Sequence, residues 1–158
     1  MTYQINLKNH IISEKSPPFI IAEIGNNHNG SMDIAKELIT KAKECGASSV
    51  KFQTKDIETA FSQDLLNANY DNDKSFGKTY REHKEALELN IEQIQELKKF
   101  SEKMNLTFFS TAFDIISLDK LESIDQEIHK ISSFHVTDLN LIEAICKTKK
   151  PIIMSTGM

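Results

Sequence analysis

An α/β fold built on a parallel sheet, in a single domain spanning residues 1–158, is predicted by three observations. Short apolar runs of strand length alternate with longer segments whose apolar residues repeat at helical spacing, and parallel strands need such helical crossovers between them. Most of the apolar runs stop at clusters of Gly, Asn, Ser or Thr, where a strand leaves its sheet. No internal repeat, Gly/Ser linker or low-complexity tract divides the 158 residues, and that length buries a substantial core.

Residues 1–16 read as a small hairpin. Residues 19–24 (Phe-Ile-Ile-Ala-Glu-Ile) form a first strand, apolar enough to be buried on both faces, which stops at Gly25. After the turn-rich loop Asn26–Gly30, Ser31 caps a helix and Asp33 suits its first turn. Ile34, Leu38, Ala42 and Cys45 mark one face of that helix, and Gly46 ends it. Ser49–Gln53 is the second strand. Asn90, with Gln93 three residues on, opens a helix that runs to Met104, and Thr107–Ser110 is the third strand. Leu118, Leu121 and Ile124 share helical spacing; His129–Ser133 is a fourth strand, Leu139–Lys147 a helix, and Pro151–Met154 a fifth strand running into Ser155-Thr156-Gly157-Met158. Between Lys55 and Leu89 lies a long, mostly polar connection. Loops beyond about 15 residues inside compact domains are functional or disordered, and here we expect function. An eight-stranded α/β barrel takes about 250 residues, so a barrel of this pattern is incomplete, with about five strands and four helices after the hairpin.

Composition excludes several classes of partner. Nineteen Lys plus Arg against 23 Asp plus Glu give a net charge of −4, and without a basic run the electrostatic footprint of a nucleic-acid binder is missing. No stretch approaches the roughly 18 apolar residues of a membrane-spanning helix. The polar start, Met1–His10, does not have the pattern of a secretory signal, so the cytoplasm is the expected compartment. Cys45 and Cys146 have no metal-like spacing and read as core residues.

In α/β architectures ligands gather at the C-terminal ends of the strands. There the first strand offers Glu23 and the loop Asn26-Asn27-His28-Asn29-Gly30. The second offers Lys51 and Gln53, which share one face and leave Val50 and Phe52 to the helices. Ser110-Thr111-Ala112-Phe113-Asp114, Lys130-Ile131-Ser132-Ser133 and Ser155-Thr156-Gly157 end the other three. A buried lysine is costly unless its ammonium meets an anion, and hydroxyls with strand-end amides donate to phosphate or carboxylate oxygens. The implied ligand is a small, phosphorylated anion. Taken singly, each lysine reads equally well as half of an ion pair, Lys51 with Glu23 for example; together they favour binding. His28 reads first as satisfying its own turn. His10, His83, His129 and His135 lack metal-site spacing, so no metal ligand is assigned within the chain. Phe108, Phe109 and Phe113 read as packing as readily as a substrate platform.

These segments and one more, Gly77–Lys84, in register, resemble the N-acetylneuraminate (sialic acid) synthase family. They are Ile21-Ala22-Glu23-Ile24-Gly25-Asn26-Asn27-His28-Asn29-Gly30 with Val50-Lys51-Phe52-Gln53-Thr54; Gly77-Lys78-Thr79-Tyr80-Arg81-Glu82-His83-Lys84; Ser110–Asp114; Lys130–Ser133; and Pro151–Met158. The resemblance spans nearly the whole chain from Phe19. It implies a TIM (β/α)8 barrel that condenses phosphoenolpyruvate with an N-acylmannosamine-type sugar, or its 6-phosphate, to give a nonulosonate and phosphate. It also implies a divalent metal, Mn or Mg. Carried over position by position, Lys51, Thr111, Lys130, Ser133 and Ser155 resemble phosphoenolpyruvate contacts, and Glu23, Lys51 and Asp114 catalytic residues. Gln53 resembles a residue near the metal's water shell and Phe113 a site-lining residue. The family's metal-binding histidines and its remaining substrate contacts lie in the second half of the barrel. A small antifreeze-like domain follows there and reaches across a homodimer. The chain thus reads as the N-terminal portion of such an enzyme, inactive as a fragment.

One departure bears on the sugar. After the fourth-strand serine the family shows Gly and then Asp or Glu, whereas this chain has Phe134 and His135. A residue without a Cβ becomes a bulky ring, and a carboxylate that accepts sugar hydroxyls or amides becomes an imidazole. The departure implies a different sugar or a lost activity. Alternative readings are a non-catalytic anion-binding or assembly module derived from such a barrel, or another phosphoenolpyruvate-dependent sugar-acid synthase.

Overall fold

Strict alternation along residues 49–54 sets the plan of the molecule. Val50 and Phe52 go to one face of their strand and Lys51 and Gln53 to the other, because successive strand side chains point to opposite sides. The computed structural model describes residues 3–157. Met1 and Thr2, at the start of the expected hairpin, and Met158, the last residue of the trailing motif, lie outside the described residues. Two short antiparallel strands, β1 (Gln4–Asn6) and β2 (Ile11–Ser13), precede five strands of the parallel fold. These are β3 (Ile21–Gly25), β4 (Ser49–Thr54), β5 (Thr107–Ala112), β6 (His129–Ile131) and β7 (Ile152–Met154). β3, β4 and β5 pair in parallel in that order, β6 pairs in parallel with β7, and β6 lies beside β5. Helices α1 (Met32–Glu44), α5 (Ile91–Lys103), α6 (Ile115–Ser123) and α7 (Leu139–Lys147) make the crossovers. The result is an arc of a (β/α)8 barrel.

The arc has two apolar layers. Outside, Val50, Phe52 and Phe108 pack against Ala35 and Ile39 of α1 and Ile94 and Leu97 of α5. Inside, Phe109 packs with Leu7 and Ile128, joined by Ile12, Ile21 and Ile153. The hairpin therefore plugs the N-terminal mouth. It is tied there by the Lys8 amide, which donates to Glu127 Oε2 at 2.6 Å, and by the His10 ring, 3.0 Å from Thr107 Oγ1. Between β5 and β6 a side chain stands in for a strand ladder: Gln126 Oε1 accepts from the Ser110 amide at 2.7 Å, and its Nε2 donates to the Ser110 carbonyl at 3.0 Å.

Four expectations need correction. The buried line of α1 is Ala35 and Ile39, while Ile34 is 40% exposed; one residue turns the helix by about 100°. Cys45 and Cys146 are exposed, one at the C-cap of α1 and the other next to buried Ile145. β3 is only partly buried, since among the described residues it has a neighbour on one side alone. The connection after Lys55, read as a loop, carries three short helices, α2 (Ile57–Ala60), α3 (Gln63–Leu66) and α4 (Tyr80–Leu87). Thr79 and Glu82 form a reciprocal capping box that starts α4. Tyr70, Phe76 and Tyr80 gather around His83, with ring centroids 4.6, 5.7 and 6.5 Å away.

Gly30 joins this segment to the barrel. Its φ is +77°, and a Cβ there would overlap the carbonyl oxygen of Ala86 in α4. Gly46 has a similar φ of +85° but open space around it. Gly30→Ala is therefore expected to cost more than about 1 kcal/mol and to lower Tm further than Gly46→Ala. Equal drops for the two would contradict the contact.

All five histidines are held below their ordinary pKa of 6.5, in each case chiefly by burial. His129 accepts at Nδ1 from Gln126 Nε2 at 3.3 Å, which leaves Nε2 protonated and 3.1 Å from Glu122 Oε1. As pH falls the unfolded chain takes up these protons first, so stability is complete above about 6.5 and is lost on acidification through that value. Thermal melts should show a flat Tm from about pH 8 to 7 and a falling one below about 6.5; a Tm flat down to about pH 5 would contradict the burial of these rings.

Candidate functional site

The polar layer lies one pleat above Phe109, at the C-terminal mouth. Lys51 stands in register with Glu23 of β3 and Phe109 of β5, and Gln53 with Thr111. Only 5% exposed, Lys51 extends upward so that Nζ donates to Thr111 Oγ1 at 2.7 Å and to the Phe52 carbonyl at 3.3 Å, and pairs with Glu23 Oε1 at 2.9 Å. Lys130 repeats the arrangement on β6, with Nζ donating to Ser155 Oγ at 2.7 Å and to the Ile131 carbonyl at 2.6 Å. Burial, and then the positive charge of Lys51, push the Lys130 pKa below its ordinary value. The two ammonium groups thus feel one another across the mouth, and an anion between them would relieve that repulsion.

Gln53 and Glu23 close over Gly25, where a Cβ would lie 3.3 Å from Gln53 Nε2 and 3.5 Å from Glu23 Oε1. Ser133 starts a single 3-10 turn, Ser133–His135, because β6 ends at Ile131 rather than at the expected Ser133. Its half-buried hydroxyl makes no hydrogen bond among the described residues. Asp114 is the N-cap of α6. Its carboxylate caps α6, accepting from the Ser117 amide at 2.7 Å and hydroxyl at 2.8 Å, and it also accepts from the Asp56 amide at 2.8 Å. Those donors engage both of its carboxylate oxygens. His28 accepts at Nδ1 from the Gly30 amide at 3.1 Å, so it does satisfy its own turn.

Past Gln53 the mouth opens into a cavity of about 480 Å3 lined by Lys55, Phe61, Tyr80, Lys84, Phe113 and His135, among others. Lys55 Nζ donates to Gln53 Oε1 at 2.8 Å, stands 3.7 Å from Glu88 Oε1 and lies 4.2 Å from the centre of the Phe113 ring. Burial pushes Lys55 down and Glu88 up in pKa. Lys55, Tyr80 and Lys84 were not among the expected site residues. The Thr79-Tyr80-Arg81-Glu82 capping signal, which announces α4, is what would have placed the last two. A larger hollow of about 720 Å3 lies under the hairpin, away from the strand C-termini.

Among the described residues no three His, Cys, Asp or Glu side chains converge as a metal site. Glu23 is engaged by Lys51 and Gln53 Oε1 by Lys55, and the neighbouring ammonium groups oppose a cation. These residues do not by themselves fit a divalent metal.

The profile of the NeuB family matches residues 38–158. Human N-acetylneuraminate-9-phosphate synthase is 36% identical over 147 residues, covering 93% of this chain and 41% of that protein. The N,N'-diacetyllegionaminic acid synthase of Legionella pneumophila is 40% identical over 141 residues, covering 89% and 40%. The chain spans about two fifths of the length of these relatives. Among solved structures, the N-acetylneuraminic acid (sialic acid) synthetase of Leptospira borgpetersenii in complex with citrate superposes with a TM-score of 0.81 at 31% identity. That match covers 100% of this chain and 51% of the other.

Proposed function

Because the chain belongs to the NeuB family, we propose that its strand-end lysines hold phosphoenolpyruvate for condensation with an N-acylmannosamine-type sugar or its 6-phosphate. The observation that carries this reading is the pairing of Lys51 with Thr111 and of Lys130 with Ser155 on one mouth, close enough for the two charges to interact. Relatives named as synthases of N-acetylneuraminate 9-phosphate and of N,N'-diacetyllegionaminic acid support it. In the reaction C3 of the enol phosphate attacks the aldehyde carbon of the open-chain sugar. The new carbon–carbon bond forms as the carbonyl π bond breaks, and the former aldehyde oxygen takes up a proton to balance the one that water gives up at C2. Water adds at C2, and the tetrahedral intermediate collapses with loss of inorganic phosphate. Lys51 and Lys130, with Thr111, Ser133 and Ser155, hold the carboxylate and phosphate, and Glu23 tempers positive charge developing at C2. Catalysis on this reading is mainly positioning and electrostatic stabilisation. Phe113 and Gln53 border the sugar. The Mn or Mg implied by the family resemblance would take its ligands from elsewhere, and a cytoplasmic homodimer is the setting we propose.

Phosphorus NMR tests the reading. The phosphoenolpyruvate signal should shift or broaden on adding the chain and recover in Lys51→Ala. A complete barrel carrying this segment should convert phosphoenolpyruvate and N-acetylmannosamine, or its 6-phosphate, to inorganic phosphate. A signal unmoved by the chain would contradict the reading.

A further inference from the structure

β5 and β6 stand side by side without a ladder, since β5 pairs with β4 and β6 with β7. Their joint is made by the side chain of Gln126, which is fully buried. Its Oε1 accepts from the Ser110 amide at 2.7 Å, and Nε2 gives one hydrogen to the Ser110 carbonyl at 3.0 Å. That pair fixes which end of the side-chain amide is which, because the Ser110 N–H can only donate and its carbonyl can only accept. The second Nε2 hydrogen is left for Nδ1 of His129, 3.3 Å away on a ring that is itself buried. One amide group thus holds Ser110 and His129 together. The next residue along the chain from each belongs to the anion site: Thr111 accepts from Lys51 at 2.7 Å, and Lys130 donates to Ser155 at 2.7 Å. A two-pronged bond to one strand and a third bond to the other leave the two lysine–hydroxyl pairs little freedom to part.

We propose that Gln126 is a positioning residue: it sets the span between the Lys51–Thr111 and Lys130–Ser155 pairs, and so the distance over which one anion can meet both lysines. The identity of that anion rests on the condensation reading above; the span does not. An apolar side chain of similar volume would keep the core filled, but the Ser110 N–H and carbonyl, left unpaired, would draw water into the joint and let β5 and β6 separate.

An NMR titration of the Lys130 side chain, assigned by the resonance that Lys130→Ala removes, reads the span without a ligand, since burial and then the charge of Lys51 hold the Lys130 pKa down. Gln126→Met should raise that pKa. His129→Phe gives up only the third bond and leaves Glu122 to Lys150 at 2.8 Å, so it should raise it less; it carries the test if circular dichroism shows Gln126→Met unfolded. Ile39→Val, a core change in α1 away from the joint, should leave the Lys130 pKa unmoved. With Lys51→Ala already in place, Gln126→Met should add a smaller rise, because the charge whose distance changes is gone. A rise of the same size there would mean general loosening and would overturn the proposal, as would a Lys130 pKa unmoved in both Gln126→Met and His129→Phe. In calorimetry Gln126→Met should bind phosphoenolpyruvate about 10-fold or more weaker than wild type, one of two charge-assisted contacts being out of reach; equal affinity would also overturn it. A Lys130 pKa that shifts as expected in a protein whose wild type binds no phosphoenolpyruvate would uphold the role of Gln126 and overturn the condensation reading instead.

Discussion

Phe52→Ala is expected to destabilise the protein by about 3–5 kcal/mol, the range for removing a large aromatic from a close-packed core. The ring is fully buried, stacked at 5.3 Å on Phe108 and 5.7 Å from the His28 ring. It thereby fastens three pieces together: β4, β5 and the loop after β3. Its neighbours in the chain are Lys51 on one side and Gln53 on the other, so loosening Phe52 also frees the backbone that aims both polar side chains into the mouth. Against a typical total stability of about 5–15 kcal/mol, the loss is large. Urea unfolding should show the midpoint falling steeply, with Phe52→Leu costing much less because most of the volume remains. A loss under about 1 kcal/mol for Phe52→Ala would mean that the site is not packed as described.

The second large effect falls on binding. Lys51→Ala should weaken phosphoenolpyruvate binding toward the upper end of the 10- to 150-fold range that corresponds to about 1.5–3 kcal/mol for a charge-assisted contact. Two changes act together. A buried ammonium group, 2.7 Å from Thr111 Oγ1, is lost, and Glu23 loses the cation 2.9 Å away that neutralises it. The Glu23 carboxylate then faces the ligand's negative charges uncompensated. Glu23→Gln added to Lys51→Ala should therefore recover part of the lost affinity. The repulsion account fails if the double variant binds no better than Lys51→Ala in calorimetry.

Much of this architecture is legible from local rules. Ser31 and Asn90 cap α1 and α5 as their spacing predicts, and α7 runs over the Leu139–Lys147 segment marked by its apolar period. The two-residue alternation at Lys51 and Gln53 places both polar side chains on the inner face, opposite Val50 and Phe52. What escapes such rules is tertiary. Cys45 sits at the edge of the apolar stripe, and only the angle at which α1 docks decides that Ala35 and Ile39 turn inward instead. Asp114 looks like a strand-end carboxylate, but it is also followed three residues later by Ser117, and the start of α6 claims it as a cap. The polar tract after Lys55 has too little apolar periodicity to announce its helices. Its order comes from rings that meet around His83 and from Gly30 fitting against Ala86, contacts between residues distant in the chain.

The central claim is that Lys51 and Lys130, from two different strands, act on one bound anion. The most direct test is a calorimetric titration of phosphoenolpyruvate at low salt, where attraction is least screened, into wild type, Lys130→Ala and Lys36→Ala. Lys36 lies on α1, paired with Glu96 at 2.6 Å, and serves as a charge-matched control. The account predicts affinity about 10- to 150-fold weaker in Lys130→Ala and unchanged in Lys36→Ala. Equal affinity in wild type and Lys130→Ala would contradict it.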